Sequence, residues 1–287
     1  MEYYFAVASA AFFGFWPIRL NQLVGIFLGR VAYRCARKDR GIGEYQLKFC
    51  YPELTEKDRR TILKRAFESV GQSLLEALCV RRIRNNPSDW ISLSNANLVR
   101  DARKKGRGII LLFGHIGNWE LISTIYDMLD IPGIVIGSSM DDDKLDNLLS
   151  HYRKTDRAKL ISREESRVAR IISNSLRSNE MVLLAIDQDT RVRSVFTDFF
   201  GKQAATAVGP AIFAQKFGAP VIAAFGARMH DGTHHYRFEL LSETPYEGGA
   251  GGIQKLTQVY TAAFERHVRQ YPGQWVWFHR RWKTRPD

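Results

Sequence analysis

Residues 106–120, GRGIILLFGHIGNWE, decide the fold of this chain. Their first half, Gly108–Phe113, is a short apolar run rich in Ile and Leu, which is typical of a strand buried on both faces. The chain leaves this strand through Gly114 and Gly117, and Asn118 is placed to cap a helix whose apolar residues follow at helical spacing. His115 therefore lies between a buried strand and a helix start, where open α/β sheets place their chemistry.

The spacing from His115 to Glu120 indicates a paired histidine and carboxylate only because the two residues lie where a strand ends and a helix begins. On a regular helix of 3.6 residues per turn, the two side chains would point about 140° apart. They can meet if His115 precedes the helix and Glu120 lies in its first turn. A carboxylate on one imidazole nitrogen would fix the tautomer and raise the basicity of the other nitrogen, as a general base acting on a hydroxyl requires. We therefore predict that His115 and Glu120 are catalytic.

The histidine-x4-acid pattern is weak without its context. With 7 His and 30 acidic residues among 287, composition alone gives about 0.7 matches, and the chain has three. His151–Asp156 lies in a polar, charge-rich stretch that is typical of a solvated helix. His234–Glu239 lies in a probable strand, where an odd separation sends the two side chains to opposite faces. Only His115–Glu120 combines a strand, two glycines and a helix start.

Two further buried strands support an α/β fold. Met181–Ile186 ends in Asp187-Gln188-Asp189, and the run GAPVIAAFGARM ends near Arg228. A shorter strand ends at Arg163. Together with the amphipathic helices between them, these strands predict a single domain with a central, mostly parallel or mixed sheet flanked by helices. The polar residues at the strand ends are candidates for the same site as His115.

Composition restricts the class of protein and its partners. A hydrophobic content of 45% and a charged content of 25% are ordinary for a globular protein with a sizeable core. The net charge of +12 favours acidic partners, such as nucleic acid, an anionic membrane or an acidic carrier protein. The three cysteines lack metal-ligand spacing, which indicates reduced thiols.

The N-terminal 35 residues predict a membrane attachment. Tyr3–Ile18 is uncharged and mostly apolar but shorter than the about 20 residues of a spanning helix, and 20–33 forms a second, semi-apolar stretch. Basic residues between 30 and 40 follow, as expected beside the anionic cytoplasmic leaflet. We therefore expect a membrane-attachment segment at residues 1–35 and the α/β domain at residues 36–287. A buried pair of N-terminal helices is the alternative.

Several motifs together resemble one family. HIGNWE, then DQD with FTDFFGKQAAT, GAPVIAAF and WFHRRWKTRP are similar to the bacterial lipid A biosynthesis acyltransferases, the lauroyl and myristoyl transferases of lipopolysaccharide assembly. These belong to the wider superfamily of glycerolipid acyltransferases. YPELTEKDRR matches as well, and the resemblance covers roughly residues 37–285. It implies an α/β domain at the inner membrane, with its active site on the cytoplasmic face.

The resemblance also implies the reaction and its participants. The donor would be an acyl-carrier-protein thioester, the acceptor a hydroxyl of a lipid A precursor or related anionic glycolipid, and no metal or cofactor would take part. His115 would be the general base and Glu120 its partner, and the chain would act as a monomer. We expect substrate contacts from six residues, of which Arg163, Asp187 and Asp189 match positions that the family needs: Gly117, Asn118, Arg163, Asp187, Asp189 and Arg228. Whether Asp187 or Asp189 matters more stays open.

Three alternatives remain at this level. The chain could acylate another glycolipid or a lysophospholipid, since the motif does not distinguish acceptors. It could hydrolyse acyl thioesters, because water and a sugar hydroxyl need the same base. A nucleic-acid binder would explain the charge and the aromatic, basic C-terminus. It would leave the apolar N-terminus and the polar strand ends without a role, so no nucleic-acid partner is expected.

Overall fold

The computed structural model describes residues 12–138, 144, 155–190, 192–243 and 248–286. Within these ranges the strands are β1 (Ile91–Ser94), β2 (Ile109–Phe113), β3 (Gly133–Gly137), β4 (Ala158–Ser162), β5 (Met181–Ala185), β6 (Ser194–Phe199), β7 (Lys202–Ala207), β8 (Val221–Arg228) and β9 (His234–Ser242). The α-helices are α1 (Ile18–Cys35), α2 (Arg37–Cys50), α3 (Glu56–Ala77), α4 (Val80–Asn85), α5 (Ala96–Lys104), α6 (Thr124–Leu129), α7 (Val168–Arg177), α8 (Gly209–Phe217) and α9 (Ala250–Gln270).

A seven-stranded mixed sheet forms the centre of the domain, in the order β1-β9-β8-β2-β5-β3-β4. All neighbours are parallel except β8 and β9, which run antiparallel. Every residue of β2 and of β8 is buried, because helices cover both faces of the sheet. The predicted single α/β domain with a central mixed sheet is therefore confirmed, and the three strands predicted as buried runs lie next to one another.

Alternate residues of β2 enter two separate cores, as the pleat requires. Ile110 and Leu112 pack on one side with residues of α7, α8 and α9, and with the inner faces of α2 and α3. Ile109 and Leu111 pack on the other side with residues of α4, α5 and α6. The carboxyl end of β2 thus emerges between two packed layers, which hold whatever follows it in place.

A hairpin that the sequence did not predict packs beside the sheet. β6 and β7 pair antiparallel around Phe200 and Gly201, which both have positive φ, at 57° and 70°. Two such residues form the tight turn that matches the twist of paired strands. The hairpin's aromatic and small residues gave no alternating pattern, so the sequence suggested only a run into α8.

Helix α1 packs on α3 through glycines. A Cβ on Gly71 would lie 2.2 Å from the carbonyl oxygen of Gly25, and one on Gly29 would lie 2.4 Å from the carbonyl oxygen of Phe67. No side chain fits at these positions, so the two backbones are in contact. Helix α3 begins after Thr55, whose hydroxyl caps it by accepting a hydrogen bond from the backbone N–H of Asp58 at 3.2 Å.

The buried face of α3 differs from the predicted one. The sequence suggested the apolar stripe Ile62, Ala66, Val70, Leu74 and Leu78, but Leu74 is 59% exposed. Toward its C-terminus the helix instead buries three polar residues at helical spacing, Ser69, Ser73 and Glu76. The prediction was wrong there because it assumed that the inward face would be apolar.

The outward face of α1 is apolar. Leu23 and Phe27 are both 63% exposed, and Leu20, Leu28 and Val31 are also exposed. Among the residues that the structure describes, no helix has the length and apolarity needed to cross a bilayer. Residues 1–11 and most of the predicted polar helix at 141–157 lie outside the described residues.

Candidate active site

The register of two neighbouring strands brings His115 beside Asp187. β2 and β5 are parallel, and Phe113 is paired with Ala185. His115 and Asp187 each lie two residues beyond that pair, so they leave the same edge of the sheet at the same level. A hydrogen bond of 3.0 Å from the N–H of Ile186 to the carbonyl of Phe113 continues the ladder between them. The structure therefore brings these two predicted residues together at one edge of the sheet.

Asp187 binds His115 at two points. One carboxylate oxygen lies 2.8 Å from the imidazole Nδ1, and the other accepts a 2.8 Å hydrogen bond from the backbone N–H of His115. An ionised carboxylate can only accept hydrogen bonds, so Nδ1 carries a proton, and in the neutral form of the imidazole Nε2 then carries the lone pair. The His115 side chain is 21% exposed and Asp187 2%. This tautomer and this burial are what a general base requires.

Asp187 is ionised despite its burial. Burial by itself raises the pKa of a carboxyl group, but the charge of His115 and the surrounding hydrogen bonds outweigh it and lower the pKa of Asp187 to about 2. One of these bonds comes from the indole Nε1–H of Trp275, at 2.9 Å. The carboxylate therefore accepts from three donors and is fixed in orientation.

The loop after His115 turns at Gly117, whose φ is +63°. A Cβ there would be strained and would also lie 3.1 Å from the carbonyl oxygen of Gly226. Asn118 caps the next turn as predicted, with its Oδ1 accepting a 3.0 Å bond from the N–H of Glu120. The cap tightens that turn to a 3₁₀ helix, Trp119–Leu121, ahead of α6. The side chain of Asn118 is buried and its Nδ2 donates to Glu76 at 2.6 Å.

Glu120 lies where the sequence placed it, in the first turn after the loop. The sequence predicted that the Glu120 carboxylate contacts one imidazole nitrogen of His115, and the carboxylate that contacts Nδ1 is that of Asp187. Glu120 lies near Arg84, whose pKa is lowered by burial and raised in part by Asp127 and Glu120. The Arg84 guanidinium also donates to the hydroxyl of Ser123 at 2.7 Å. A catalytic role for Glu120 stays a prediction.

The two aspartates of DQD have different contacts. Asp187 holds His115, whereas Asp189 accepts from the backbone N–H and the hydroxyl of Thr284, at 3.1 and 3.0 Å. Asp189 thus fastens the C-terminal segment beside the site. The contacts favour Asp187 as the more important of the two for the chemistry.

Arg163 is exposed, whereas Arg228 is buried. Arg163 follows β4, three strands from β2, which at about 4.8 Å per strand is about 14 Å along the sheet edge. Its side chain is 58% exposed and pairs with Glu164 at 2.7 Å. Arg228 is buried, and its guanidinium donates to Glu76, Ser69 and Ser73. These contacts suit Arg228 for holding the site together, while Arg163 is open to a substrate.

The sequence prediction missed residues that are distant in the chain. Trp275 reaches Asp187 from the C-terminal segment, and His279 lies close enough that Asp187 and His115 influence its pKa, which burial lowers. Glu76 touches the loop from α3. The polar residues at helical spacing in α3 were the available signal for Glu76. Among the described residues, no group of three His, Cys, Asp or Glu side chains could hold a metal ion.

Comparison with known proteins gives one consistent result. The sequence model of the family described as bacterial lipid A biosynthesis acyltransferase matches residues 1–284. The lipid A biosynthesis lauroyltransferase of Escherichia coli (strain K12) is 29% identical over 94% of this chain and 88% of its own length. The lipid A biosynthesis palmitoleoyltransferase of the same organism is 23% identical over 94% and 87%. A phosphatidylinositol mannoside acyltransferase of Mycobacterium tuberculosis is 23% identical over 62% of this chain and 55% of its own.

Proposed function

The chain belongs to the bacterial lipid A biosynthesis acyltransferases, and we propose that it moves a fatty acyl group from an acyl-carrier-protein thioester to a hydroxyl of a lipid A precursor. Acyl transfer itself follows from the family and from its named relatives. The donor, the acceptor and the roles of individual residues are the proposal. A different glycolipid acceptor is the second candidate, since one relative is named for phosphatidylinositol mannoside.

The geometry of His115 and Asp187 supports this reaction best. Nε2 of His115 takes the proton of the acceptor hydroxyl while the oxygen attacks the thioester carbonyl carbon. The tetrahedral intermediate collapses by breaking the carbon–sulfur bond, and the imidazolium returns its proton to the leaving thiolate. An ester and a free carrier thiol result. The buried carboxylate of Asp187 stabilises the imidazolium between the two proton transfers.

We propose that the other predicted residues support the reacting groups or contact the substrate. Glu120 is proposed as a second carboxylate beside the reacting groups, and Arg163 as a contact for the anionic acceptor. Gly117 and Asn118 shape the loop that holds His115. Asp187 acts on His115 rather than on a substrate, and Asp189 keeps the C-terminal segment beside it.

The outward face of α1 is proposed to lie on the cytoplasmic surface of the inner membrane. Its exposed Leu23 and Phe27 would enter the interface, and the exposed Arg19, Arg30 and Arg34 lie along one side of the same helix. Such a combination of apolar and basic residues suits an anionic bilayer surface. In this proposal residues 1–35 are the membrane-attachment segment and residues 36–287 the catalytic domain.

The test is acyl transfer with purified protein, carrier-bound donor and lipid A precursor, followed by mass spectrometry of the lipid. Wild type should yield one additional ester-linked chain, and His115→Ala should lose about 10²–10⁴ in rate. A parallel reaction without acceptor measures thioester hydrolysis. If the thioester is consumed equally fast without the acceptor, the protein is a hydrolase and the proposal is wrong.

A further inference from the structure

A fully buried carboxylate lies behind the loop that carries His115. Glu76, near the C-terminus of α3, is 0% exposed. It accepts from Gln22 Nε2 at 2.7 Å, from Asn118 Nδ2 at 2.6 Å, and from Arg228 Nε at 3.1 Å and Nη2 at 2.6 Å. An ionised carboxylate offers about four lone-pair positions, which these four donors can fill, and Nε2 of the buried His234 lies 3.4 Å from Oε2. Asn118 is the donor that belongs to the loop.

The partners of Glu76 hold the same loop a second time. The hydroxyl of Ser73, which accepts from Arg228 at 3.0 Å, lies 3.0 Å from the carbonyl oxygen of Gly117. The backbone of Arg228 is bonded in both directions to the amide of Gln274, at 2.8 and 2.9 Å. The carbonyl of Gln274 in turn accepts from the N–H of Gly117 at 3.2 Å. Removing the side chains of Glu76 and Arg228 would therefore leave the Asn118 amide without its acceptor and the Ser73 hydroxyl beside Gly117 without its donor, while the backbone of residue 228 keeps its bonds to Gln274.

Stability alone is a poor reason for this arrangement. Desolvating two charges costs free energy that their attraction often fails to return, and apolar residues of similar volume commonly stabilise as well or better. Burial also opposes ionisation of Glu76, although Arg228 and His234 hold its pKa far below the usual value. What an apolar pair cannot supply is an acceptor in a fixed place for the Asn118 amide, three residues after His115.

We propose that Glu76 is a positioning residue for acyl transfer, which fixes residues 117–118 and thereby the direction of the His115 imidazole. This inference rests on the proposed role of His115 as general base. Catalysis tolerates little error in such a direction, because a displacement of about 1 Å can cost about a hundredfold in rate.

The experiment compares three variants with wild type. Glu76→Gln replaces one acceptor oxygen by a donor. Glu76→Met combined with Arg228→Met replaces the ion pair by apolar residues of similar length. Asn118→Ser leaves the ion pair intact, keeps an oxygen for the cap, and removes the amide that reaches Glu76. Tyr126→Phe is the matched control, because it deletes an equally buried hydroxyl whose bond to the Ile134 carbonyl is 2.8 Å and lies away from the loop.

We expect kcat to fall by about 10–100-fold in all three variants, with the KM of both substrates changed less than threefold. The double Met variant should have a melting temperature equal to or above that of Glu76→Gln. Its kcat should nevertheless stay below the wild-type value. Tyr126→Phe should lower the melting temperature and leave kcat at the wild-type value. If kcat follows the melting temperature across all four proteins, Glu76 only stabilises the fold and the inference is overturned.

A second readout does not depend on turnover. In protein labelled with ¹⁵N-histidine, the Nδ1–H of His115 should be protected from exchange in wild type and in Tyr126→Phe, and should exchange faster in Glu76→Gln and Asn118→Ser. Unchanged protection in Asn118→Ser, a variant that keeps the ion pair, overturns the inference. If wild type shows the protected proton but transfers no acyl group to the lipid, the proposed function fails while positioning by Glu76 stands.

Discussion

Replacing Asp187 with asparagine should stop His115 from acting as a general base, with almost no change in side-chain volume at position 187. Three donors surround the carboxylate: the Nδ1–H of His115 on one oxygen, and the backbone N–H of His115 with the indole N–H of Trp275 on the other. An amide has a single oxygen. If that oxygen faces the backbone and indole donors, its NH₂ group faces Nδ1, which must then become an acceptor. The imidazole proton moves to Nε2, where no base remains.

The size of the effect follows from the alternative orientation of the amide. Turning its oxygen to Nδ1 sets the NH₂ group against two N–H donors, and each buried unsatisfied donor costs about 1–3 kcal/mol. The unreactive tautomer is therefore favoured by about 2–6 kcal/mol, which at about 1.4 kcal/mol per tenfold corresponds to a loss of about 30-fold to 10⁴-fold. Losing the negative charge beside the imidazolium adds to this, so we expect kcat to fall by about 10²–10⁴.

Initial rates with carrier-bound donor and lipid acceptor measure this effect. Asp189→Asn is the matched control: it is the same change two residues along, where the carboxylate contacts Thr284 instead of His115. Its loss should stay below about tenfold, the equivalent of about 1.4 kcal/mol. An Asp187→Asn protein with wild-type melting temperature and more than a third of wild-type kcat would refute the assignment of the tautomer.

Three other outcomes are expected. Leu23→Gln combined with Phe27→Gln should reduce cosedimentation with anionic vesicles at an unchanged melting temperature, and unchanged binding would remove α1 from the membrane contact. Arg281 lies in a basic run but is 1% exposed, so Arg281→Glu should yield unfolded protein. Arg280→Glu should fold, and kinetics at low salt should show a raised KM for the carrier-bound donor. Since Asp187 has its pKa lowered from 3.8 to about 2, it stabilises the fold above about pH 4 and loses this contribution as pH falls toward 2. Between pH 5 and pH 2, urea titrations should show the free energy of unfolding of wild type falling by about 2 kcal/mol more than that of Asp187→Asn.

Local patterns predicted the strands, because β2, β5 and β8 are apolar up to the terminal Arg228 of β8, and helices alternate with them. They also predicted that His115 and Asp187 lie at strand ends. The contact between the two could not be predicted, since β3 and β4 separate β2 from β5 in the chain and strand order within a sheet is not local. Glu120 is the acidic residue nearest to His115 in sequence, so the sequence pointed to it, whereas the carboxylate that contacts Nδ1 belongs to Asp187, which is 72 residues away.

Buried polar residues were the other source of error. The inward face of α3 includes Glu76. A prediction that looks for regularly spaced apolar residues cannot place a glutamate on a buried face. Arg281 is similar: in the sequence it belongs to an exposed basic tail, but its guanidinium is buried over the ring of Phe199 at 5.4 Å. In both cases the partners that make burial possible come from distant parts of the chain, Arg228 for Glu76 and the β7 segment for Arg281.

The glycine contact between α1 and α3 has a consequence for substrate selection. Backbones that touch at Gly25, Gly29 and Gly71 leave no layer of side chains whose rotamers could let one helix roll over the other. Gln22, on the inner side of α1, is bonded to Glu76, while Leu23 and Phe27 point outward. If α1 rests on the bilayer, the height and tilt of His115 above the lipid headgroups are then set by the fold. The enzyme would then select acceptor hydroxyls by their depth in the membrane. It would acylate those that reach His115 at one depth and leave chemically identical hydroxyls at another depth unmodified.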